Sequence, residues 1–382
     1  MKERDPRIDF FRGVALCMIL VDHIAGDPLS RFSYQHIGFS DAAEIFVFLS
    51  GLACGIAYSR TLARQGWGSL LLAITKRATR IYLFYALSNA IVILGVMAAA
   101  SAWHIDPHGD GLAIRGNQIA TEIRMMLLLE STPAHSEVLV LYMTLTLIVI
   151  PAFLLGGERY SLLSLAVSGL VWLFSPMLVD MSSLVDNWFF DPFAWQFLFV
   201  IGMFFGIKSD HQQPILQQTG RFTWLMRAAW SVVALAVAYK LLVVLSPTLN
   251  IDPARLQIDS DQLTIMKKHL ALIRLCHFLS VAMLVATYFR PSNPLMRTQL
   301  ILPFIWIGRN PLQIFSLSIV LSALGNVEGM LFHPGVLWRL AMDALFFTLI
   351  GLAAYALSRQ WGHARRGLRP WALQRVSWLR PT

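Results

Sequence analysis

Residues 9–26 read Asp9-Phe-Phe-Arg12-Gly-Val-Ala-Leu-Cys-Met-Ile-Leu-Val-Asp22-His23-Ile-Ala-Gly26, an apolar stretch with charged or titratable residues near both ends. As a helix it is long enough to approach the width of a hydrocarbon core about 30 Å thick. The segment before it is charged, and the stretch lacks the small-residue cleavage pattern of a secretory signal. It therefore predicts a first permanent membrane span.

Similar apolar stretches recur along all 382 residues. The chain is 56% hydrophobic and 14% charged, with a mean hydropathy of +0.59, which argues against an ordinary water-soluble domain. Peptide groups inside a bilayer must bond within their own segment, and the stretches are too continuous for barrel strands. We predict an all-α, polytopic integral membrane protein with about ten transmembrane helices, at residues 9–26, 42–59, 80–103, 138–155, 161–179, 193–207, 224–246, 269–289, 300–324 and 336–358. A surface helix is expected at 64–77.

The distribution of basic residues predicts the orientation of these spans. If the N-terminus is cytoplasmic, 21 of the 31 Lys and Arg residues lie on the inner side and four lie within spans. The remaining six lie outside: Arg31, Arg115, Arg124, Arg255, Lys267 and Lys268. Cytoplasmic connections carry an excess of Lys and Arg, so both termini of this multi-pass protein are predicted to be cytoplasmic.

The net charge of +9 follows from this topology. The basic residues are divided among short connections, so nucleic acid is not an expected partner. We expect one membrane-embedded domain over 1–382, with a basic cytoplasmic tail over 359–382 that touches anionic headgroups of the bilayer. Cys17, Cys54 and Cys276 lie in apolar stretches as small hydrophobes, and no metal site is expected.

His23 is the strongest candidate for a catalytic residue. Ionisable side chains within a span are costly and raise a functional question. Arg12 and His23 are eleven residues apart, or about 16 Å and nearly three turns, so both lie on one helical stripe. A neutral imidazole can accept a hydroxyl proton as a general base, although a packing histidine is the alternative. Asp22 points about 100° away and could orient a neighbouring group.

Asp41 and Glu44 open the second span from the outer side. One turn apart, they could orient an imidazole or bind a substrate hydroxyl. The same spacing also forms a capping box at a helix N-terminus. Both interpretations are kept.

Arg77 and Arg80 precede the third span and share one helical face at the predicted cytoplasmic boundary. Their guanidinium groups could bind a polyphosphate, or they could simply anchor the span. Gln196 and Asn310 could line a cavity or bond neighbouring helices. His135, Tyr142, His277, Arg339 and Asp343 are interpreted as structural.

Several motifs resemble those of one family. The pairs Arg12-x10-His23 and Arg77-x-x-Arg80 match signatures of acyltransferase-3 type membrane acyltransferases. More specific are Arg7-Ile-Asp-Phe-Phe-Arg-Gly13, Gly38-Phe-Ser-Asp-Ala-Ala-Glu-Ile-Phe-Val-Phe-Leu-Ser-Gly51 and Phe193-Ala-Trp-Gln-Phe-Leu-Phe-Val-Ile-Gly202. With these motifs, nearly the whole chain resembles the OpgC-like family of osmoregulated periplasmic glucan succinyltransferases.

The resemblance implies an O-acyltransferase that moves an acyl group, typically succinyl from cytoplasmic succinyl-CoA, onto glucose hydroxyls of a periplasmic glucan. It implies His23 as the catalytic histidine and Arg12, Arg77 and Arg80 as residues that serve the acyl donor. Acyl-CoA is then a co-substrate and no cofactor is permanently bound. Proteins of glucan biosynthesis are possible partners, and direct transfer and an acyl-enzyme both remain open.

Two other classes of protein fit the same pattern. Buried charges and proline-interrupted helices also mark transporters or flippases of a polar solute or lipid-linked sugar, although no repeated half is detectable. A non-catalytic scaffold for glucan synthesis is the third alternative. That scaffold would keep its function without His23.

Overall fold

The computed structural model describes residues 5–106, 108, 112, 114, 118–181, 188–210, 221–249, 251, 252, 256, 258–290 and 293–364. Within these residues the regular structure is helical. The helices are α1 (Pro6–Asp22), α2 (Ala42–Trp103), α3 (Ile119–Leu127), α4 (Glu137–Leu155, with a π-helical turn at Leu145–Val149), α5 (Ser161–Leu173), α6 (Ser175–Asp180), α7 (Pro192–Asp210), α8 (Arg221–Leu245), α9 (Ser260–Lys268), α10 (Leu272–Tyr288), α11 (Leu302–Arg309), α12 (Pro311–Phe332) and α13 (Val336–Ala364). The all-helical prediction is confirmed for this part of the chain.

Each of the ten predicted spans is helical over most of its length. By length and apolarity alone, five helices qualify as membrane spans in the described residues: Ala42–Trp103, Glu137–Leu155, Thr223–Leu245, Pro311–Phe332 and Val336–Arg359. A sixth is added if α9 and α10, which meet at a 65° bend, count as one broken span. Helices α5 and α7 are apolar but shorter. The chain is therefore a membrane protein with at least five candidate spans.

Helix α2 contains a reversal at Gly66. The φ of Gly66 is 76°, in the left-handed region that glycine adopts without a steric penalty. Tyr58 and Arg77 would lie about 28 Å apart along a straight helix, yet Arg77 lies within electrostatic range of both Tyr58 and Cys54. The two halves of α2 therefore fold back on each other. The predicted surface helix at 64–77 continues directly into the predicted third span.

Helix α1 packs closely against α11 in the interior. A Cβ atom added to Gly13 would lie 1.9 Å from the Phe304 carbonyl oxygen, and one added to Gly308 would lie 1.8 Å from the Asp9 carbonyl oxygen. Small residues allow membrane helices to approach backbone to backbone. This contact fixes α1, and with it the residues at both ends of the stripe from Arg12 to His23.

Helices α2 and α7 meet through a second glycine contact. Gly51 and Gly55 face the backbone of α7, while Gly202 and Gly206 face the backbone of α2. Each pair is spaced by four residues, so each lies on one face of its helix. The motif around Gln196 ends at this contact, which explains its glycine at residue 202.

We expect Gly202→Leu to reduce the yield of folded protein sharply, because a Cβ there would lie 2.3 Å from the Phe48 carbonyl oxygen. Overpacking of this kind costs about 1–3 kcal/mol or more. Gly95→Leu is the matched control, since nothing lies within 4 Å of a Cβ at that exposed glycine. Size-exclusion chromatography and thermal unfolding in detergent measure the difference. Equal folded yields for the two variants would contradict the proposed packing.

The structure also describes the three cysteines and the first part of the predicted basic tail. Cys17, Cys54 and Cys276 are free thiols. The predicted tail at 359–382 begins within α13, which is helical to Ala364. Residues 365–382 of that tail lie outside the described residues.

Candidate active site

His23 caps the C-terminal end of α1, where helix carbonyl groups lack partners within the helix. Asn326 of α12 supplies a side-chain clamp there. Its Nδ2 donates to the His23 carbonyl oxygen at 2.9 Å, and its Oδ1 accepts from the Ala25 amide at 2.8 Å. The His23 ring lies near the backbone of Ile19, one turn earlier. An imidazole that donates through one nitrogen keeps the other as an acceptor.

The ring of His135 stacks on the ring of His23. The ring centroids are 5.0 Å apart and the planes differ by 19°. His135 belongs to the short 3₁₀ turn Pro133–His135, which precedes α4. The structure thus brings to His23 a residue that the sequence interpreted as structural.

Asp41 and Glu44 form the predicted capping box. The Asp41 side chain accepts from the Ala43 amide at 2.8 Å, and the Glu44 side chain accepts from the Asp41 amide at 2.9 Å. Both carboxylates are also buried and paired with Arg274, at 3.0 Å for Asp41 and 2.6 Å for Glu44. The capping interpretation is confirmed, and the same carboxylates also enter an ion-pair network. Their orienting an imidazole or binding a substrate hydroxyl stays a prediction.

Lys267 joins the network from the other side of the bend between α9 and α10. Its ammonium lies 2.9 Å from Asp41 Oδ2 and over the rings of Phe189 and Phe190, at 5.5 and 5.8 Å from their centroids. Lys267 and Asp41 both lie within electrostatic range of His23. Because α9 and α10 meet at 65°, two cations reach one carboxylate.

Asp22 is held by the connection between α1 and α2. Its Oδ1 accepts from Gln35 Nε2 at 2.9 Å. Asp22 thus ties this connection to the end of α1 beside His23, and its role in orienting a catalytic group stays a prediction.

A second histidine cluster lies next to the ion-pair network. Ser40 Oγ lies 2.7 Å from His277 Nδ1 and 2.8 Å from the Tyr34 hydroxyl. Burial raises the pKa of Tyr34 above its ordinary value, so this phenol stays neutral. Gly38 packs directly against the His277 ring, where a Cβ would lie 2.1 Å from Cε1. This cluster supports the start of α2, which carries Asp41.

Arg12 lies in the interior, where it joins three helices. It donates to the carbonyl oxygens of Leu49 at 2.9 Å and Gly308 at 3.5 Å, and its guanidinium lies 3.9 Å from Asp9. These bonds give Arg12 a structural role. Its predicted contact with the acyl donor stays a prediction.

Arg77 and Arg80 differ in their surroundings. Arg77 is half-buried and lies near Tyr58, Cys54 and Tyr142, whereas Arg80 is exposed. Tyr142 is buried, lies beside Ser50, and is within electrostatic range of both Arg12 and Arg77. The structure therefore brings Arg12 and Arg77 to one buried tyrosine and leaves Arg80 on the surface.

Gln196 and Asn310 bond neighbouring helices. Gln196 Oε1 accepts from Ser168 Oγ at 2.6 Å, and its Nε2 donates to the Ser168 carbonyl at 2.8 Å. Asn310 lies at the break between α11 and α12 and donates to Ser358 at 3.2 Å. These contacts support packing, and their lining of a cavity stays a prediction.

The residues that sequence reasoning missed come from six separate segments of the chain. Arg274 could have been identified from the sequence, because a charged residue inside an apolar helix needs a partner. The others carried little signal of their own: Lys267, His135, Asn326, Ser40 and Tyr142. Their relevance depends on helix contacts that no local pattern specifies.

The arrangement has the parts of a general-base site. It presents an imidazole with a fixed backbone, a carboxylate and an ammonium within electrostatic range, and an accessible stacking partner. Such a group can take a proton from a hydroxyl as that oxygen attacks a carbonyl. Among the described residues, no three His, Cys, Asp or Glu side chains converge as metal ligands.

Comparison with known proteins gives a family. No curated protein and no solved structure matched the chain. The sequence model of the family described as OpgC protein matches residues 4–361. The matched range includes α1 with His23, the motif with Asp41 and Glu44, and most of α13. It also includes Arg77 and Arg80 of α2, which are predicted to bind the acyl donor. The chain belongs to the OpgC protein family.

Proposed function

We propose that this protein transfers a succinyl group from cytoplasmic succinyl-CoA to hydroxyl groups of a periplasmic glucan, with His23 as the general base. Membership of the OpgC family supports a glucan-modifying acyltransferase as the class. The observation that carries the mechanism is the arrangement along α1. His23 is held among polar groups at one end of the helix, and Arg12 lies near Arg77 and Tyr142 toward the other.

We further propose about ten passes through the inner membrane, with both termini cytoplasmic. Connections that the charge distribution assigns to the outer side contact one another. His23 stacks on His135, Asp41 pairs with Lys267, and Arg339 donates to the Ala25 carbonyl at 3.0 Å. Segments assigned to the inner side meet likewise: Arg7 donates to the Phe289 carbonyl at 3.0 Å, and Lys208 lies 3.5 Å from Glu158.

The chemistry follows from the position of the free His23 nitrogen. That nitrogen takes the proton of a glucose hydroxyl while the hydroxyl oxygen forms a bond to the thioester carbonyl carbon. Collapse of the tetrahedral intermediate breaks the carbon–sulfur bond, and the coenzyme A thiolate takes the proton back from His23. Lys267 and Asp41 both lie in electrostatic range of His23, and the Asp41 carboxylate offsets part of the repulsion between Lys267 and the imidazolium that forms between these steps.

The acyl donor enters from the cytoplasmic side in this proposal. Its phosphates meet Arg80 at the surface and Arg77 slightly deeper, since a guanidinium suits phosphate oxygens. Its flexible arm then passes Tyr142 and Arg12 toward His23. Glu44 stays paired with Arg274 and acts by holding Asp41 in place.

We expect Arg77→Ala to raise the KM for the acyl donor more than Arg80→Ala does, because Arg77 is half-buried near Tyr142 whereas Arg80 is exposed. Loss of one charge-assisted contact costs roughly 10-fold or more in affinity. Arg77→Lys should recover part of it. Titrations of donor and of glucan in reconstituted vesicles measure both constants.

Lys76→Ala is the matched control for the arginines. It removes one exposed positive charge from the same turn and so has the same effect on anchoring in the membrane. A change in the glucan requirement with unchanged donor dependence would place Arg77 on the acceptor side. If Arg77→Ala and Lys76→Ala had the same KM for the acyl donor, the arginines would serve only to anchor the helix in the membrane.

The test of the proposed function uses the purified protein in sealed vesicles. With succinyl-CoA supplied at the predicted cytoplasmic face, free coenzyme A should appear only after glucan is added at the opposite face. Solute movement without release of coenzyme A would favour a transporter or flippase. Support of glucan synthesis by a His23→Ala protein, with no transfer by the wild type, would favour a scaffold.

A further inference from the structure

His135 combines three features that a packing residue does not need. Its ring stacks on that of His23, with centroids 5.0 Å apart. Its backbone has a φ of 58°, a left-handed conformation that residues other than glycine hold only where the surroundings enforce it. Its side chain remains 39% exposed and lies 3.9 Å from Glu137. The ring thus covers His23 from the more accessible side.

The segment that carries His135 is fixed by its neighbours. The Ser131 carbonyl accepts from the buried Tyr85 hydroxyl at 2.8 Å, and the Ser136 amide donates to the Pro133 carbonyl at 3.2 Å. These bonds hold the short turn between α3 and α4 in place. The left-handed residue at its end therefore points its ring at a defined position.

The geometry of stacking leaves the chemistry of His23 free. The lone pair of an imidazole nitrogen lies in the plane of the ring, whereas a stacked neighbour covers only its face. Rotation of the His23 ring about its Cβ–Cγ bond would break the stack. His135 can therefore restrain the plane of the base without blocking the nitrogen that accepts the proton.

We propose that His135 is a positioning residue that fixes the plane of the His23 imidazole, so that an acceptor hydroxyl meets the nitrogen at the ring edge. The Asn326 clamp holds the backbone of His23, and His135 holds its ring. This inference rests on the proposed function. It goes beyond that function because it assigns a role in orientation to a residue outside the predicted site.

Two substitutions separate the ring from the backbone at this position. His135→Asn keeps a residue that tolerates the left-handed conformation but removes the ring. It should lower kcat roughly 10–100-fold with the KM for the acyl donor unchanged, as expected when a base is misplaced. His135→Phe keeps a flat ring that can stack on His23. It should retain kcat within about threefold of wild type, because the proposed role of His135 is to orient the His23 ring and needs no titratable group.

His104→Asn is the matched control, because His104 has the same left-handed backbone, with a φ of 56°, at the exposed end of α2. Thermal unfolding in detergent, compared with this control, separates a folding defect from a loss of turnover. The positioning role is overturned if His135→Asn has the kcat of the wild type, or if His135→Phe is as slow as His135→Asn. Either result leaves the proposed function intact. A wild-type protein that transfers no acyl group overturns the proposed function together with it.

Discussion

Acyl transfer should fall roughly 10²–10⁴-fold when His23 is replaced by alanine, because a general base contributes a factor of that order. Insertion and expression should be nearly unchanged, since an alanine near the end of an apolar span is easier to insert than a histidine. The measurement is succinylated glucan formed per minute by the purified protein, normalised to folded protein.

His23→Asn is the informative companion variant. Asparagine keeps a polar side chain that can hydrogen-bond but cannot take up a proton near neutral pH. Its activity should be as low as that of His23→Ala. Substantial transfer by a folded His23→Asn protein would remove His23 from the mechanism and leave it as a helix-packing residue.

The largest effect on stability is expected for Arg274→Ala. Arg274 is the shared partner of two buried carboxylates, at 2.6 Å from Glu44 and 3.0 Å from Asp41. Removing one partner of a buried ion pair costs about 3–5 kcal/mol, because a charge is left without compensation. Lys267 can still pair with Asp41, but Glu44 loses its cation. The yield of folded protein and the unfolding temperature in detergent should both drop strongly.

The double variant Arg274→Met with Glu44→Gln tests whether charge is the cause. It removes the positive and the negative charge together, and replacing a buried ion pair with neutral groups is often tolerated. The double variant should therefore unfold at a higher temperature than Arg274→Ala. If Arg274→Ala were as stable as the wild type, the network would not hold the start of α2.

Much of the fold could be predicted from hydropathy, because the bilayer forces long apolar stretches to be helical. The stretch predicted as one span at 300–324 is broken at Asn310, which the proline after it explains. A reversal between the predicted spans at 42–59 and 80–103 was expected, but its position at Gly66 was not, since a lone glycine in a helical pattern is tolerated as often as it marks a turn. The bend between α9 and α10 was also missed. It lies at Leu270, whose φ of 45° has no signal in the sequence.

The site was only partly predictable for a related reason. His23 and Glu44 are ionisable residues in apolar surroundings. The free-energy cost of placing such residues in a membrane span is enough to mark them as candidates. Lys267 lies in a polar connection, where a lysine is ordinary. Its pairing with Asp41 depends on the bend at Leu270, and the stack of His135 depends on the turn before α4. Contacts between distant segments decide these roles, and no local periodicity contains them.

We propose that this protein places succinyl groups on periplasmic glucans through His23. Mass spectrometry of glucans from a bacterial strain that lacks its own glucan succinylation, and that expresses either the wild type or His23→Asn, tests it most directly. Glucans carrying succinyl mass increments are expected with the wild type and only unmodified glucans with His23→Asn. Unmodified glucans from both strains, with both proteins folded in the membrane, would contradict the account.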